Sequence, residues 1–432
     1  MINKILSDIK NTSVIYTGLA GLMAKSAGFL LQIVSIPLLS AYLGKEDFGT
    51  LLTVLSVTLF LNISDIGLGM NLQNRLPYYE NTGFRKEGIL LFMQSFIATA
   101  FISSLLFIIL TLVILFTTFK NSSPNGIYIY IIVSSCFCLF MPFSLINKYY
   151  SVKLKAYIPE LFNTISSITI TVALFFVVKY KASIGVIAFV YQGTPLVIVI
   201  ISFWYFFFIY KIKFFEVIKF NFIELKNVLK ESFKYMVIPI SVMLISAPDS
   251  FIIMKFVNSG EVVTYNILLR FAYFFIFPVT MFINPLLPSM NSAIVNKDFD
   301  WIKKKIYYIL ILLLILSFVY SILILLCGNI IIHLWLGNFV SFGIDTWIVV
   351  IIYILYSILN ALISVISLTS ILNEELIKVY FKAAIITTCT KIIFLYFYKN
   401  IGGFLVVSIV TMSLFFILPI IFKIKKKIYD IE

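Results

Sequence analysis

The chain has 432 residues, of which 61% are hydrophobic and only 12% charged, and it carries a formal net charge of +14. A soluble domain holds about 25% charged residues, so half that share, with apolar runs of twenty or more, excludes an ordinary soluble protein. In a membrane chain the positive excess reports orientation rather than nucleic-acid binding, and no nucleic-acid partner is expected.

No strand-period pattern recurs at barrel spacing, so helices are left to satisfy the backbone in lipid. The first, over 14–43, contains V-I-Y-T-G-L-A-G-L-M-A-K-S-A-G-F-L-L-Q-I-V and places Lys25 near its middle. Met1–Asn11 is polar and leads straight into this span, which is expected to serve as its own targeting signal. Further spans are expected at 48–68, 88–117, 127–147, 160–178 and 184–209, then 235–257, 262–290, 306–332, 346–372, 380–398 and 402–422. That makes an all-α polytopic protein of 12 transmembrane helices. With the N-terminus inside, the inner segments collect most of the Lys and Arg. The outer loops hold only Lys45, Lys120, Lys179, Lys181 and Lys399. Both termini are therefore expected in the cytoplasm.

The longest polar stretch, Lys211–Lys234, sets Phe222, Leu225, Val228 and Leu229 at helical spacing beside Lys226 and Lys230. It reads as an amphipathic helix on the inner membrane surface. It divides the chain into an N-terminal six-helix lobe (1–210), a linker (211–234), a C-terminal six-helix lobe (235–422) and a basic tail (423–432). An even number of spans per half gives both lobes one orientation, as in transporters built from parallel repeats. Residues 43–50 and 257–264 form a faint internal echo of each other.

Charges inside spans are costly and mark candidate sites. Lys25 reads as a cavity-facing cation or as a structural partner of Asp249. Asp249 follows Pro248 in I-S-A-P-D-S, ten residues after Pro239, where two prolines loosen the helix. Its carboxylate could bind a coupling H⁺ or Na⁺, or form a fixed salt bridge to Lys25 or Arg270. Arg270 could present a planar fork to phosphate oxygens, or pair with Asp249. Lys391, deep in the eleventh span, is a further cavity cation; Lys255 lies near a span end and is expected to snorkel. Asp65, Asn71, Gln73, Asn74 and Arg75 cluster in S-D-I-G-L-G-M-N-L-Q-N-R, either as a cytoplasmic gate at Asp65, Asn74 and Arg75 or as a capped helix end.

Cys136, Cys138, Cys327 and Cys389 match no zinc or redox spacing, and His333 stands alone at a helix end. No Walker loop or paired catalytic carboxylates appear, so neither a catalytic site nor a metal or organic cofactor is expected. The short outer loops argue against a membrane glycosyltransferase or polymerase, whose carboxylates would need a sizeable loop. Glu46, Asp47, Glu261 and Asp345 are scattered on short hairpins instead.

I-P-L-L-S-A-Y-L-G-K-E-D-F-G-T (36–50) followed by D-I-G-L-G-M-N-L-Q-N-R-L (65–76) resembles the N-terminal signature of Wzx-type polysaccharide repeat-unit flippases. Residues 248–266, 284–290 and 335–338 agree more loosely. These flippases belong to the multidrug/oligosaccharidyl-lipid/polysaccharide exporter superfamily. The resemblance implies a MATE-like transporter with two lobes around a central cavity, working by alternating access in the bacterial inner membrane. Its substrate would be an O-antigen or capsule repeat unit on undecaprenyl pyrophosphate, its lipid partners those of the membrane, and its protein partner the polysaccharide polymerase machinery. Lys25, Arg270 and Lys391 would then meet the pyrophosphate. The rival reading within the superfamily, an ion-coupled multidrug antiporter, calls for an acidic lumen; the buried cations argue the other way.

Overall fold

A computed structural model of the chain describes residues 2–61, 67–82, 84–116, 126–211, 222–232, 237–283, 298–337, 339–367 and 373–423. The described residues are helical throughout, joined by short turns, with no strand among them. Contacts divide the chain into two compact units, Met1–Pro239 and Ile240–Glu432.

The first unit begins with α1 (Ile2–Leu61), which contains Pro37 and breaks its helical geometry at Gly44 (φ 72°, ψ 179°). Positive φ costs an L side chain but not glycine, so the chain turns there. Then come α2 (Leu68–Asn81), α3 (Arg85–Phe116), α4 (Gly126–Ser144), α5 (Ile146–Val152), α6 (Tyr157–Lys179) and α7 (Ile184–Ile209). α1 packs chiefly along α6, and α4 packs between α3 and α7. The Tyr42 hydroxyl donates to the Ala182 carbonyl at 2.8 Å and ties α1 to the turn between α6 and α7.

One end of this unit is an aromatic core. Phe92 of α3, Phe143 of α4, Tyr149 and Tyr150 of α5, and Phe203 and Phe206 of α7 interlock there. Edge-to-face pairs such as Phe143–Phe203, 5.0 Å apart at 85°, add about 0.5–1.5 kcal/mol beyond burial. The buried Tyr150 hydroxyl is satisfied by the Ser202 carbonyl at 3.0 Å.

α8 (Phe222–Ser232) closes this core. Val228 is buried in it, with Leu225 and Leu229 packed alongside, whereas Lys226 and Lys230 are exposed. The Asn71 amide of α2 donates to Ser232 Oγ at 3.0 Å and to the Val228 carbonyl at 3.4 Å. The apolar face expected against the membrane surface is thus covered by protein, because α2 and α3 offer it an apolar seat and a buried amide. Apart from Lys211, the remainder of the 211–234 linker and most of the 423–432 tail lie outside the described residues.

The second unit contains α9 (Val237–Ser246, its last residues), α10 (Asp249–Phe256), α11 (Ser259–Ile283), α12 (Phe299–Leu336), α13 (Ile344–Ser367), α14 (Asn373–Tyr398) and α15 (Ile401–Met412). A π turn, Ser413–Ile417, continues α15 toward Lys423. α11 packs on α13, α14 on α15, and α10 on both α11 and α14. Trp347 of α13 donates from Nε1 to Asn329 of α12 at 3.0 Å and packs its ring, tilted, against Phe271 of α11, pinning three helices.

Among the described residues, 10 helices are long and apolar enough to cross a membrane. The twelve expected spans differ from this count at two places. The first and second run together as one helix across the Gly44 kink. The seventh is interrupted at Ala247–Pro248, leaving α10 with 8 residues, too short to span alone, after the 10 described residues of α9. The chain is a multi-pass membrane protein.

Candidate functional site, a broken helix braced by a buried ion pair

Pro248 has no amide hydrogen, so it cannot donate to the carbonyl four residues earlier. That carbonyl belongs to Leu244, and Thr388 Oγ1 of α14 donates to it at 2.6 Å. The next carbonyl, Ile245, accepts from Lys391 Nζ at 2.8 Å. Thr388 and Lys391 stand three residues apart and therefore share one face of α14. Two neighbouring side chains of one helix thus cap the end of the helix broken opposite them.

Lys391 uses its other two donors on Asp249, at 2.9 Å to Oδ1 and 3.0 Å to Oδ2. Its three ammonium hydrogens are all committed. The Tyr265 hydroxyl of α11 donates to Asp249 Oδ2 at 2.5 Å. Phe404 of α15, fully buried, lies beneath both: its ring centroid is 5.2 Å from Lys391 Nζ and 5.7 Å from the Tyr265 ring. Asp249 is 5% exposed and Lys391 2%, which puts both charges out of reach of solvent. In that setting attraction offsets desolvation only when the hydrogen bonds are complete, as they are here. Beside the pair, Asn266 of α11 donates to Ser250 Oγ at 3.3 Å and to the Val262 carbonyl at 2.8 Å.

The remaining sequence candidates are placed as follows. Asp249 takes Lys391 as its partner, not Lys25 or Arg270, the two partners that spacing suggested. Lys25 is exposed on the face of α1 that also carries Leu22, Met23 and Ser26, while Ala24 and Ala27 face the packed side. Arg270 is half-buried on α11, five residues beyond Tyr265. Lys255 is exposed near the end of α10. Arg75 is half-buried on α2 and donates to the Tyr79 hydroxyl at 3.4 Å. Asn74 lies on α2 but its side chain, like the whole of Asp65, lies outside the described residues, as do Asn338 and 284–290.

Sequence reasoning missed Thr388, Tyr265 and Phe404, which complete the Asp249 site. It also missed a second polar centre in the first unit. Glu80 of α2 pairs with Lys153 and accepts from the Tyr149 hydroxyl at 2.7 Å, while Lys153 Nζ lies 5.4 Å from the Tyr210 ring centroid. The signal available for the first was a T-x-x-K spacing in a span opposite a P-D break. For the second there was none, since Glu80 and Lys153 look like ordinary loop charges.

With this geometry in hand, comparison with known proteins places the chain. Residues 14–293, well over half its length, match the family described as "Polysaccharide biosynthesis protein". The chain belongs to that family. Its fold is similar to that of an inward-facing multidrug resistance MATE family transporter of the MOP superfamily. The TM-score is 0.71 at 12% identity, covering 94% of this chain and 98% of that one. It is also similar to the lipid II flippase MurJ in an inward closed conformation, with a TM-score of 0.65 at 18% identity over 96% and 90% of the two chains. A third likeness is to a MOP superfamily transporter from Pyrococcus furiosus, described as having a binding pocket of reverse polarity. There the TM-score is 0.65 at 11% identity over 97% and 96%. No curated protein sequence matches the chain. At these identities the likeness establishes a MATE-like transporter fold.

Proposed function

We propose that this chain is a flippase, moving undecaprenyl-pyrophosphate-linked oligosaccharide repeat units of O-antigen or capsule from the inner to the outer leaflet of the bacterial inner membrane. It acts as a transporter and not as an enzyme. The observation that carries the reading is the coincidence of the polysaccharide biosynthesis family with a fold shared by transporters and by MurJ. A multidrug antiporter shares the fold but gives no account of the family match.

A pyrophosphate headgroup must cross a layer in which bare charge is expensive. Lys25 and Arg270 are the proposed contacts for its oxygens, each assigned on its own. Lys391 enters the cycle as the partner of Asp249. A proton taken up by Asp249 would release the ammonium and loosen the brace on the broken helix, shifting the population between inward- and outward-open states. Asp65, Asn74 and Arg75 are the proposed cytoplasmic gate. Both termini lie in the cytoplasm, and the flipped product passes to the polysaccharide polymerase machinery.

Deletion of the gene tests this reading. Lipid-linked repeat units are expected to accumulate on the inner leaflet, with surface polysaccharide lost and restored by the wild-type gene. Normal surface polysaccharide in a strain with no second flippase would refute it.

A further inference from the structure

Between α14 and α15 the second unit carries a groove of about 380 Å³, lined by Thr390, Phe394, Phe397 and Tyr398 on one side and by Val407 and Val410 among others on the opposite side. The α14 residues recur at helical spacing, so they form one stripe, which covers about 12 Å from Thr390 to Tyr398 at 1.5 Å per residue. The groove exists because the two helices fill their contact unevenly. Phe394 lies across Gly403, where an added Cβ would fall 2.3 Å from its ring. It also stacks on Tyr398 at 5.1 Å and 23°. Both rings are thereby held at one end, and the valines of α15 are left uncovered beyond them. Phe397 and Val410 stand exposed along its walls.

Apart from the Tyr398 hydroxyl, the lining offers few hydrogen bonds to a sugar. Thr390 Oγ1 donates back to the Ile386 carbonyl at 2.8 Å and Thr411 Oγ1 to the Val407 carbonyl at 2.7 Å, so both hydroxyls are used within their own helices. The two groove helices are also one-signed in sequence. From Leu376 to Tyr429 the sequence has no acidic residue, and Lys399, exposed, directly follows the lining residue Tyr398 at the end of α14. An apolar slot with a cation at its interfacial end complements an anionic headgroup followed by a hydrocarbon chain.

We infer that this groove is a binding site for an anionic membrane phospholipid, one acyl chain lying along Val407 and Val410 with the phosphate at Lys399. The site is separate from the Asp249–Lys391 centre, since Lys391 points into the packed side of α14 and is buried there. It stands whether or not the chain is a flippase.

Native mass spectrometry of the full-length protein, with phosphatidylglycerol or phosphatidylcholine added, tests it. The wild type should retain one phosphatidylglycerol in preference to phosphatidylcholine. Lys399→Ala should cut that preference about fivefold, the weight of one interfacial lysine. Val407→Trp should fill the groove and release both lipids, while Lys226→Ala, in the other unit, should change neither. If Val407→Trp does not fold, Val410→Phe reads the same loss. Equal retention of the two lipids, an unchanged preference in Lys399→Ala, or a lipid-loaded groove variant would overturn the site. Displacement by inorganic phosphate would show a free-anion site instead. A strong preference for undecaprenyl phosphate over phosphatidylglycerol would overturn the phospholipid assignment. A lipid-free dimer split by Val407→Trp would assign the groove to a second copy of the chain.

Discussion

Lys391 and Asp249, 142 residues apart in sequence, form a two-oxygen ion pair at 2.9 and 3.0 Å. The same ammonium also supplies the hydrogen bond that the Ile245 carbonyl receives at the helix break. One side chain thus neutralises a buried carboxylate and caps a broken helix.

Removing one member of such a pair leaves the other charge buried alone, at a cost of about 3–5 kcal/mol. Lys391→Met and Asp249→Asn should therefore each lower the thermal unfolding midpoint sharply. The double variant should recover much of the loss, because uncharged groups of similar size cost little there. Additive losses in the double variant, measured by thermal unfolding in detergent, would refute the coupling.

Thr388→Val removes the donor to the Leu244 carbonyl while keeping the side chain's shape. An orphaned buried acceptor costs about 1–3 kcal/mol, so this variant should destabilise the protein less than Lys391→Met. Thr390→Val is the control, since Thr390 bonds only carbonyls of its own helix. Hydrogen exchange over 237–256 should quicken in Thr388→Val and not in the control.

The Asp249 carboxylate already holds a cation, and that cation has no free donor. Replacing potassium by sodium should consequently leave the wild-type unfolding midpoint unchanged. A rise with sodium that Asp249→Asn abolishes would show a metal ion competing with Lys391.

The docked face of α8 makes a sharp contrast between neighbours. Val228→Asp places a charge in the aromatic core and should abolish stable expression or expose the segment to protease. Lys226→Asp, on the exposed face, should be tolerated, since surface changes are usually within about 0.5 kcal/mol. Equal sensitivity of the two variants would contradict the docking.

The spans were legible because hydrocarbon demands long apolar runs, and positive charge at their ends is visible in sequence. The weakness of the seventh span was legible too, from Pro248 next to Asp249, although 235–257 read as one continuous helix. Its partner was not. Lys391 and Thr388 lie far along the chain, and nothing local to either states that α10 packs on α14. Lys25 shows the same gap differently: its depth in the span marked it, but which face of α1 it occupies depends on where α6 packs. The α8 helix read correctly as amphipathic, yet periodicity alone does not say whether lipid or protein covers its apolar side. Here the buried Asn71 amide identifies protein.

The central claim is transport of a lipid-linked oligosaccharide, and reconstitution measures it most directly. The purified protein would be placed in vesicles with a lipid-linked oligosaccharide whose sugars are accessible to an added lectin only in the outer leaflet. Protein-dependent transfer between leaflets is predicted, greatly slowed in Lys25→Ala and in Arg270→Ala but not in Lys226→Ala. No transfer above protein-free vesicles would contradict the flippase. Wild-type rates in both cation variants would contradict their assignment to the pyrophosphate.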